Sequence, residues 1–539
     1  MDLLIVNARA LTQDPAAPRA EAVGVAGGQI AFVGSSAEAL ALRTSQTRLI
    51  DAGGATLLPG FIDSHYHLEL GSLRLDGAQL GPAHDTAELI ELLAAHAASQ
   101  PDDPWVKGFG LRYDTLGARP LTRHDLDAVV PDRPALLMAF DGHTAWANTR
   151  ALELCGILGG AACAPGNEIV MSSDGTASGE LREIDAFARV SRRIPPLSDA
   201  RRRELTRRGL AQAARCGITS IHNMDGDRHQ LARYLALDSA GELTLRVQVP
   251  FSFRPEMDIG ALDEAIAMRD AAGAGEMVRA GTVKLFMDGV IESGTGLLLA
   301  PYAGGDSCGE ANFEAEQFDA VASAVDALKL QIIVHAIGDA AVRRTLDGYE
   351  RALLANGRRD SRHRIEHIEL VDAADLPRFA ALGALAAMQP LHAATFDVGQ
   401  VWLDRVGRVR WPWSFSWRRL REAGARLAFG SDWPVVSQDV LAGIRAAVGR
   451  QPLCDDEPQQ AQTLDEALRS YTADGAYFEH METRKGMLRK GMLADLVLLD
   501  RDIEHDLAGA EVAMTVCGGR AVFGDGIMQH NDLATGARP

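Results

Sequence analysis

The sequence predicts an α/β protein in which a (β/α)8 TIM barrel is combined with a small β-sandwich built from both ends of the chain. Eight short, β-branched segments alternate with amphipathic helical stretches, which is typical of a closed barrel of parallel strands. Two similar Gly-Gly hairpin patterns near the termini predict the sandwich. We therefore assign residues 1–57 and 484–539 to a composite sandwich and residues 58–483 to the barrel.

The barrel strands are identified by their β-branched content and their length. They are predicted at Gly60–Ser64, Ile218–Asn223, Leu245–Phe253, Thr282–Met287, Gln331–His335, Arg364–His367, Ala384–Gln389 and Arg426–Ser431. Eight repeats favour a closed barrel over an open doubly wound sheet. The stretch from Glu69 to Arg201 is far longer than a usual connection from a strand to a helix. We therefore predict an inserted subdomain at about 70–200, after the first barrel strand.

The terminal hairpins are predicted at Val23–Gly34 and Met514–Gly524. In both, β-branched and aromatic residues flank a Gly-Gly pair, and glycine supplies the positive φ that a tight hairpin needs. Further strands are predicted at Leu3–Val6, Thr47–Ile50 and Asp495–Leu499. Coincidence is the alternative for two short hairpins, but the barrel between them favours one sandwich that both termini share.

Charge and cysteine content exclude several classes of protein. The 73 acidic and 54 basic side chains give a net charge of −19, which repels phosphate backbones, so we expect no nucleic-acid partner. The six cysteines form no CxxC pair, so neither a disulfide framework nor a thiolate zinc cluster is indicated. The chain starts without a secretory signal and has no apolar run of about 18 residues. We expect a soluble, cytoplasmic protein without a membrane partner.

The first segment with metal-binding character is Gly60–His67, at the end of the first predicted barrel strand. Its two histidines are two residues apart on extended chain, so the side chains of His65 and His67 point to the same side and can hold one ion. The alternative is that they are two polar residues in a loop. Barrel enzymes keep their active sites at the carboxyl ends of the strands, which favours the metal site.

The second segment, Val283–Gly289, places Lys284 inside an otherwise apolar strand. A buried lysine is rare, because removing an ammonium group from water without a partner is costly. Desolvation lowers its pKa and frees a neutral amine, which can add CO2 and become a carbamate able to bridge two divalent ions. The alternative is an ion pair between Lys284 and Asp288 or Glu292.

Three further predicted strands end in metal-binding side chains. His335 and His367 each end a strand and are natural ligands for a second ion. Asp432 follows the last barrel strand, where its carboxylate can ligate the first ion and move protons. Each residue alone has a structural alternative, namely a hydrogen-bonded core histidine or a turn cap. Five such segments on five strands, all at one face of the barrel, together predict a metal site.

These segments resemble amidohydrolase family 3 of the amidohydrolase superfamily, the group that includes N-substituted formamide deformylases. The resemblance runs nearly from end to end of the chain. It is carried by Leu58–His67, Gly142–Asn148, Val283–Gly289, His335–Ala341, Arg364–His367, Met388–His392, Phe429–Val435 and Lys485–Asp500. One departure is Gly289–Gly296, which lacks an arginine that relatives have there, so the polarity of the substrate stays open.

The resemblance implies a binuclear centre with two zinc ions, although one ion, manganese or iron remains open. In that arrangement the first ion has the ligands His65, His67 and Asp432, and the second has His335 and His367. A carbamate formed from CO2 on Lys284 would bridge them. The resemblance also implies that His143 approaches the substrate carbonyl.

The function predicted from these residues is hydrolysis of an amide-like C–N bond, as in an N-acyl or N-formyl amine, by a metal-activated hydroxide. Asp432 and His143 are the predicted catalytic residues, the second by stabilising the oxyanion. The alternatives are an ester, carbamate or cyclic amide as substrate, or a metal-binding scaffold without catalysis. The predicted substrate-binding residues are His143, Trp146, Met388, His392 and Trp433. A small-molecule substrate and a second copy of the chain, in a homodimer, are the expected partners.

Overall fold

The centre of the computed structural model is a sheet of eight parallel strands in chain order, each paired with the next along the sequence. The structure describes residues 1–117, 119–140, 142–164, 167–395 and 400–524. The eight strands are Phe61–Tyr66, Ile218–Asn223, Arg246–Ser252, Val278–Phe286, Gln331–Ala336, Arg364–His367, Leu385–Met388 and Leu427–Phe429. This arrangement confirms the predicted barrel.

The barrel closes where the chain leaves the last strand and runs beside the first. Tyr66 and Trp433 form an isolated parallel bridge there. The amide of Asp432 donates to the carbonyl of His65 (2.7 Å), and the amide of His67 donates to the carbonyl of Trp433 (2.9 Å). Gly430 is needed at this seam, because a Cβ atom there would lie 2.4 Å from the backbone nitrogen of His65.

Six of the eight barrel strands have bounds that differ from the prediction, and the fourth and the last strands show why. The fourth strand starts at Val278, four residues before the predicted start, because residues 278–280 also pair with the third strand. Gly281, which has a positive φ of 127°, suggests a loop when the sequence is considered alone. The last strand covers only Leu427–Phe429, since the chain turns away at Asp432, which has a φ of 61°. Both differences lie at strand ends, where pairing and not local propensity sets the boundary.

Helices follow the strands on the outside of the barrel, as parallel strands require a crossover. The α-helices from the second barrel strand onward are Arg228–Ser239, Leu262–Ala272, Ala315–Ala327, Asp339–Asn356, Leu376–Leu382, Pro390–Thr395, Gln400–Val406, Trp417–Glu422, Val440–Gly449, Leu464–Ser470 and Ala473–Phe478. Among the described residues, no helix has both the length and the apolar character that crossing a bilayer would need.

Both termini contribute to two packed sheets, which confirms the predicted sandwich. A four-stranded sheet consists of Leu3–Val6, Ala22–Ala26, Gln29–Gly34 and Arg48–Asp51, with the helix Ser36–Ala41 beside it. A six-stranded sheet consists of Arg9–Leu11, Arg19–Ala20, Thr56–Pro59, Leu496–Leu499, Val512–Cys517 and Arg520–Phe523. The two predicted hairpins therefore lie in different sheets. Their inward side chains, among them Val23 and Val516, share one apolar core.

Residues Glu69–Gly209 form a separate compact unit, compared with the predicted insertion at about 70–200. Its sheet consists of Ala78–Gln79, Val106–Leu111, Ala135–Ala139, Thr144–Ala147, Glu168–Met171 and Ala177–Arg182. Its helices are Thr86–Ser99, Arg123–Val129, Thr149–Leu154, Ile184–Ser191 and Asp199–Arg215, the last of which runs on into the barrel unit. Two apolar clusters, one on each face of the sheet, give this unit a core of its own.

Candidate metal centre

The histidines, the lysine and the aspartate singled out in the sequence lie at the carboxyl ends of five barrel strands. His65 and His67 lie at the end of the first strand, Lys284 near the end of the fourth and His335 near the end of the fifth. His367 ends the sixth strand, and Asp432 follows the eighth. This is the end at which barrel enzymes bind their substrates.

One group of potential ligands consists of His65, His67 and Asp432, whose ligand atoms lie within 4.8 Å of one another. The Oδ1 atom of Asp432 is 3.3 Å from Nε2 of His65 and 3.2 Å from Nε2 of His67. The pKa of Asp432 lies well below its usual value: burial raises it, but the imidazole of His65 and the hydrogen bond with His67 outweigh burial. The carboxylate is therefore charged and faces two ring nitrogens. A charged oxygen together with two imidazole nitrogens is a suitable ligand set for a divalent ion.

The outer nitrogens of both histidines are held by carboxylates. Nδ1 of His65 donates to Oε2 of Glu366 (2.6 Å), and Nδ1 of His67 donates to Oδ1 of Asp225 (2.8 Å). A histidine that ligates a metal almost always donates its other N–H in this way, which fixes the tautomer and directs the second nitrogen at the ion. Both rings are therefore prepared to ligate through Nε2.

A second group of potential ligands consists of His367, His392 and again Asp432. His367 donates from Nδ1 to Oε1 of Gln389 (2.9 Å), so its Nε2 is available. His392 places Nε2 3.4 Å from Oδ2 of Asp432, the carboxylate oxygen that His65 and His67 do not face. His335 belongs to neither group among the described residues, although its ring centroid lies 4.5 Å from that of His367. Its Nε2 faces the carbonyl of Gly289 at 3.1 Å.

Lys284 is fully buried, and its Nζ has no hydrogen-bond partner among the described residues. Burial lowers the pKa of this amine from 10.5 to about 8. The alternative pairing with Asp288 is wrong, because that carboxylate accepts hydrogen bonds from the amides of Leu297, Ile337 and Gly338. A buried amine with a lowered pKa and no hydrogen-bond partner is suited to form a carbamate. The carbamate would replace the amine by an anionic group whose oxygens can bind metal ions.

Buried charges continue below the potential metal ligands into the barrel interior. Arg364 donates to both oxygens of Glu366 (2.7 and 3.0 Å), and its Nη1 lies 2.7 Å from Nδ1 of His222. Nε2 of His222 lies 3.3 Å from Glu479, which forms an ion pair with Lys485 (2.6 Å). The guanidinium of Arg364 thus pairs with the carboxylate of Glu366, and this pairing holds in place the group that accepts the hydrogen bond from His65.

The backbone is strained at the ligands. His367 and Asp432 have φ values of 72° and 61°, and Ile368, which follows His367, has 51°. Left-handed φ values are rare outside glycine and most unfavourable for β-branched residues such as Ile368. Each costs on the order of 1–3 kcal/mol and persists only where surrounding contacts enforce it. Strain at two of the ligand positions is typical of a functional site.

The predicted substrate residues have different surroundings. Met388 is fully buried at the end of the seventh strand, and Trp433 stacks on Tyr66 with ring centroids 5.1 Å apart. In the unit Glu69–Gly209, Trp146 packs within an apolar cluster, and Nδ1 of His143 lies 3.0 Å from Oε2 of Glu183. Substrate contacts for these four residues stay predictions.

The residues that hold the ligands in place were missed in the sequence. Glu366 and Gln389 lie in segments that carry the family resemblance but were not predicted to have a role, and Asp225 was not predicted at all. Two signals were present: a glutamate inside a buried strand needs a partner, and an aspartate lies just past the end of the second strand. The identity of their partners depends on contacts across the barrel.

The model of the amidohydrolase family matches residues 48–523. The N-substituted formamide deformylase of Arthrobacter pascens is 28% identical over 515 residues, which cover 93% of this chain and 94% of that protein. Protein LONG AFTER FAR-RED 3 of Arabidopsis thaliana is 28% identical over 97% of this chain and 91% of its own length.

Among solved structures, an uncharacterized metal-dependent hydrolase from Pyrococcus furiosus is similar over nearly its entire length. It superimposes with a TM-score of 0.73 at 26% sequence identity, covering 93% of this chain and 99% of its own. The similarity therefore includes both the barrel and the terminal sheets.

Proposed function

Because the chain belongs to the amidohydrolase family and is a metal-dependent hydrolase of C–N bonds, we propose that it hydrolyses an N-acyl or N-formyl amine at the barrel mouth. The observation that carries the proposal is the group of His65, His67 and Asp432, with the outer nitrogen of each histidine on a carboxylate. A structural core has no need of two such preoriented histidines beside a charged aspartate.

The residues present fit two divalent ions, for which zinc is the first choice because the donors are imidazoles and a carboxylate. The first ion would be held by His65, His67 and Asp432, and the second by His335 and His367. When bound, such ions lower the pKa of a water from 15.7 toward about 7 and polarise a carbonyl. The alternatives of one ion, or of manganese or iron, are distinguished by metal analysis.

Lys284 would bridge the two sites after modification. Its neutral Nζ attacks the carbon of CO2, a C–N bond forms, one C=O bond opens, and the nitrogen loses a proton to solvent. The lowered pKa and the missing hydrogen-bond partner of Nζ support this step, since an uncharged amine is the reactive form.

Asp432 would transfer protons, and His143 would stabilise the developing negative charge. Asp432 accepts the proton of the attacking water and delivers it to the leaving nitrogen, which must be protonated before the C–N bond breaks. His143 stabilises the negative charge on the carbonyl oxygen by donating from Nε2, while its Nδ1 faces Oε2 of Glu183 at 3.0 Å. We further propose Trp146, Met388 and Trp433 as substrate-binding residues, a cytoplasmic location, a small-molecule substrate and a homodimer.

The experiment combines metal analysis with a substrate panel. Protein purified without chelator is expected to contain about two ions per chain, and Lys284→Ala to contain fewer. Turnover of N-formyl and N-acyl amines, with ester and cyclic amide analogues turned over more slowly, supports the proposed bond. Faster ester hydrolysis would move the assignment to that alternative. Protein with almost no metal and no activity after addition of zinc or manganese would support the non-catalytic scaffold.

A further inference from the structure

We propose that His392 is a metal ligand, and that with His367 and the second carboxylate oxygen of Asp432 it forms an ion site made of unmodified side chains. The inference rests on the proposed function in one respect, since both require metal at the mouth of the barrel. It adds a ligand that the sequence assigned to substrate binding, and it makes Asp432 a bridge between the two ions.

The distances between ligand atoms support the assignment. Two atoms that ligate the same tetrahedral zinc at about 2.0–2.1 Å lie about 3.3–3.4 Å apart. In the first group, Oδ1 of Asp432 is 3.3 Å from His65 and 3.2 Å from His67. Nε2 of His392 lies 3.4 Å from Oδ2 of the same carboxylate. The distance from Asp432 to His392 therefore matches the two distances in the first group, and it involves Oδ2 of Asp432 where those involve Oδ1.

A buried carboxylate lies on the Nδ1 side of His392. Oε1 of Glu369 is 3.8 Å from this nitrogen, and both residues are buried. Glu369 is held by the indole of Trp402, which donates to Oε2 (2.8 Å). This separation is longer than the 2.6 Å hydrogen bond between His65 and Glu366, so Glu369 adds negative charge beside His392 without fixing its ring as Glu366 fixes that of His65.

His367 supplies the third ligand of the set. The rings of His367 and His392 are nearly parallel, with an interplanar angle of 15° and centroids 5.8 Å apart. The ligand atoms of His367, His392 and Asp432 lie within 4.8 Å of one another, as in the first group. His367 holds Nδ1 on Gln389, which leaves Nε2 for the ion. The set thus consists of two imidazoles and a carboxylate, as does the first.

Two substitutions of His392 test whether this residue binds metal or only packs in the core. His392→Ser removes the imidazole, and His392→Cys replaces it with a thiolate, which is a good ligand for zinc and cobalt. His363→Ser is the matched control, because His363 is also a buried histidine next to a carboxylate, Asp326, but lies at the opposite end of the sixth strand. Zinc content and affinity are measured by equilibrium dialysis, and the cobalt-loaded proteins by absorption spectroscopy.

We expect His392→Ser to bind the weaker zinc at least about tenfold less tightly, while the control keeps the wild-type affinity. Cobalt-loaded His392→Cys should show a sulfur-to-cobalt charge-transfer band in the near ultraviolet that is absent from the wild type and from His392→Ser. The band reports ligation at position 392 directly and does not depend on turnover.

Unchanged zinc binding in His392→Ser, or the absence of the band in folded, cobalt-loaded His392→Cys, overturns the inference. If this result is accompanied by a wild type that binds metal and cleaves amides, the proposed function stands and only the role of His392 is wrong. A wild type that binds neither zinc nor cobalt overturns both proposals.

Discussion

The centre of the barrel and the core of the terminal sandwich are equally inaccessible to solvent but differ in composition. The terminal sheets share a cluster of buried apolar side chains, with Leu57, Leu496 and Val516 among its fully buried members. The barrel centre buries Lys284 and Arg364 together with histidines and carboxylates. Buried charges cost free energy unless they are paired, whereas apolar packing lowers it. We infer that the apolar cluster of the sandwich stabilises the fold, whereas the buried charges of the barrel centre lower its stability and serve the functional site.

The largest expected effect that tests this contrast is at Asp432, the proposed catalytic carboxylate. Asp432→Asn keeps the size of the side chain but loses its charge, so kcat on an N-acyl amine should fall about 1,000-fold or more. The melting temperature should fall only modestly, because asparagine loses the charge contacts with His65 and His67 but also removes the cost of burying a charge. Asp439→Asn, at a helix N-cap where both residues serve equally well, should leave both quantities unchanged. A large loss of stability in Asp432→Asn would argue that the carboxylate is structural.

The sandwich should respond in the opposite way. Leu496→Ala removes a fully buried side chain and should lower the free energy of unfolding by roughly 2–5 kcal/mol, with kcat of the folded enzyme unchanged. Leu42→Ala is the control, since Leu42 is 42% exposed and should change stability by less than about 0.5 kcal/mol. Denaturant unfolding measures both. A fall in kcat at full folding would show that the two regions are not separable.

Lys284 provides a pH-dependent form of the same test. Its pKa in the folded chain is lowered to about 8 by burial, so the unfolded chain binds more protons between pH 8 and 10.5 and stability increases with pH in that window. In metal-free protein without CO2, Lys284→Met should therefore be more stable than the wild type at pH 7, by roughly 1–3 kcal/mol. The difference should shrink as the pH rises from 8 to 10.5. A difference that is constant across this range would contradict the burial of an unpaired amine.

The smallest expected effect is at an outer partner of a ligand. Asp225→Asn weakens the hydrogen bond to His67, so the affinity for the first ion should fall about 10- to 100-fold with little change in stability. Asp227→Asn, two residues along, is the control because asparagine caps the following helix as well as aspartate does. Competition with a chelator measures the affinity. Equal affinities in the two variants would remove Asp225 from the metal site.

The same contrast explains how much could be predicted from the sequence. The barrel strands could be found because β-branched segments are local features, and Ile218–Asn223 and Arg364–His367 have the predicted bounds. The ligand candidates could be found because a histidine or aspartate at a strand end is also visible locally. Position in the barrel order then places such residues at one face, whatever the details of packing.

What could not be predicted are contacts between residues far apart in the chain. Glu366 meets His65 about 300 positions away, and Glu369 meets Trp402 through a side-chain geometry that no spacing encodes. His392 lies in a short helix after the seventh strand, where a histidine has no periodic signature. Its approach to Asp432 depends on how the seventh and eighth strands align, which one sequence does not reveal.

The seam of the barrel joins backbone closure to the ligands of the first group. The amides and carbonyls that join the first strand to the segment after the eighth belong to His65, His67, Asp432 and Trp433. An ion on this group would therefore fasten chain positions more than about 360 residues apart, as a cross-link does, and oppose the entropy of opening that loop. We expect hydrogen exchange at the amides of His67 and Asp432 to slow when zinc is added, because an ion held by this group would stabilise the closed barrel.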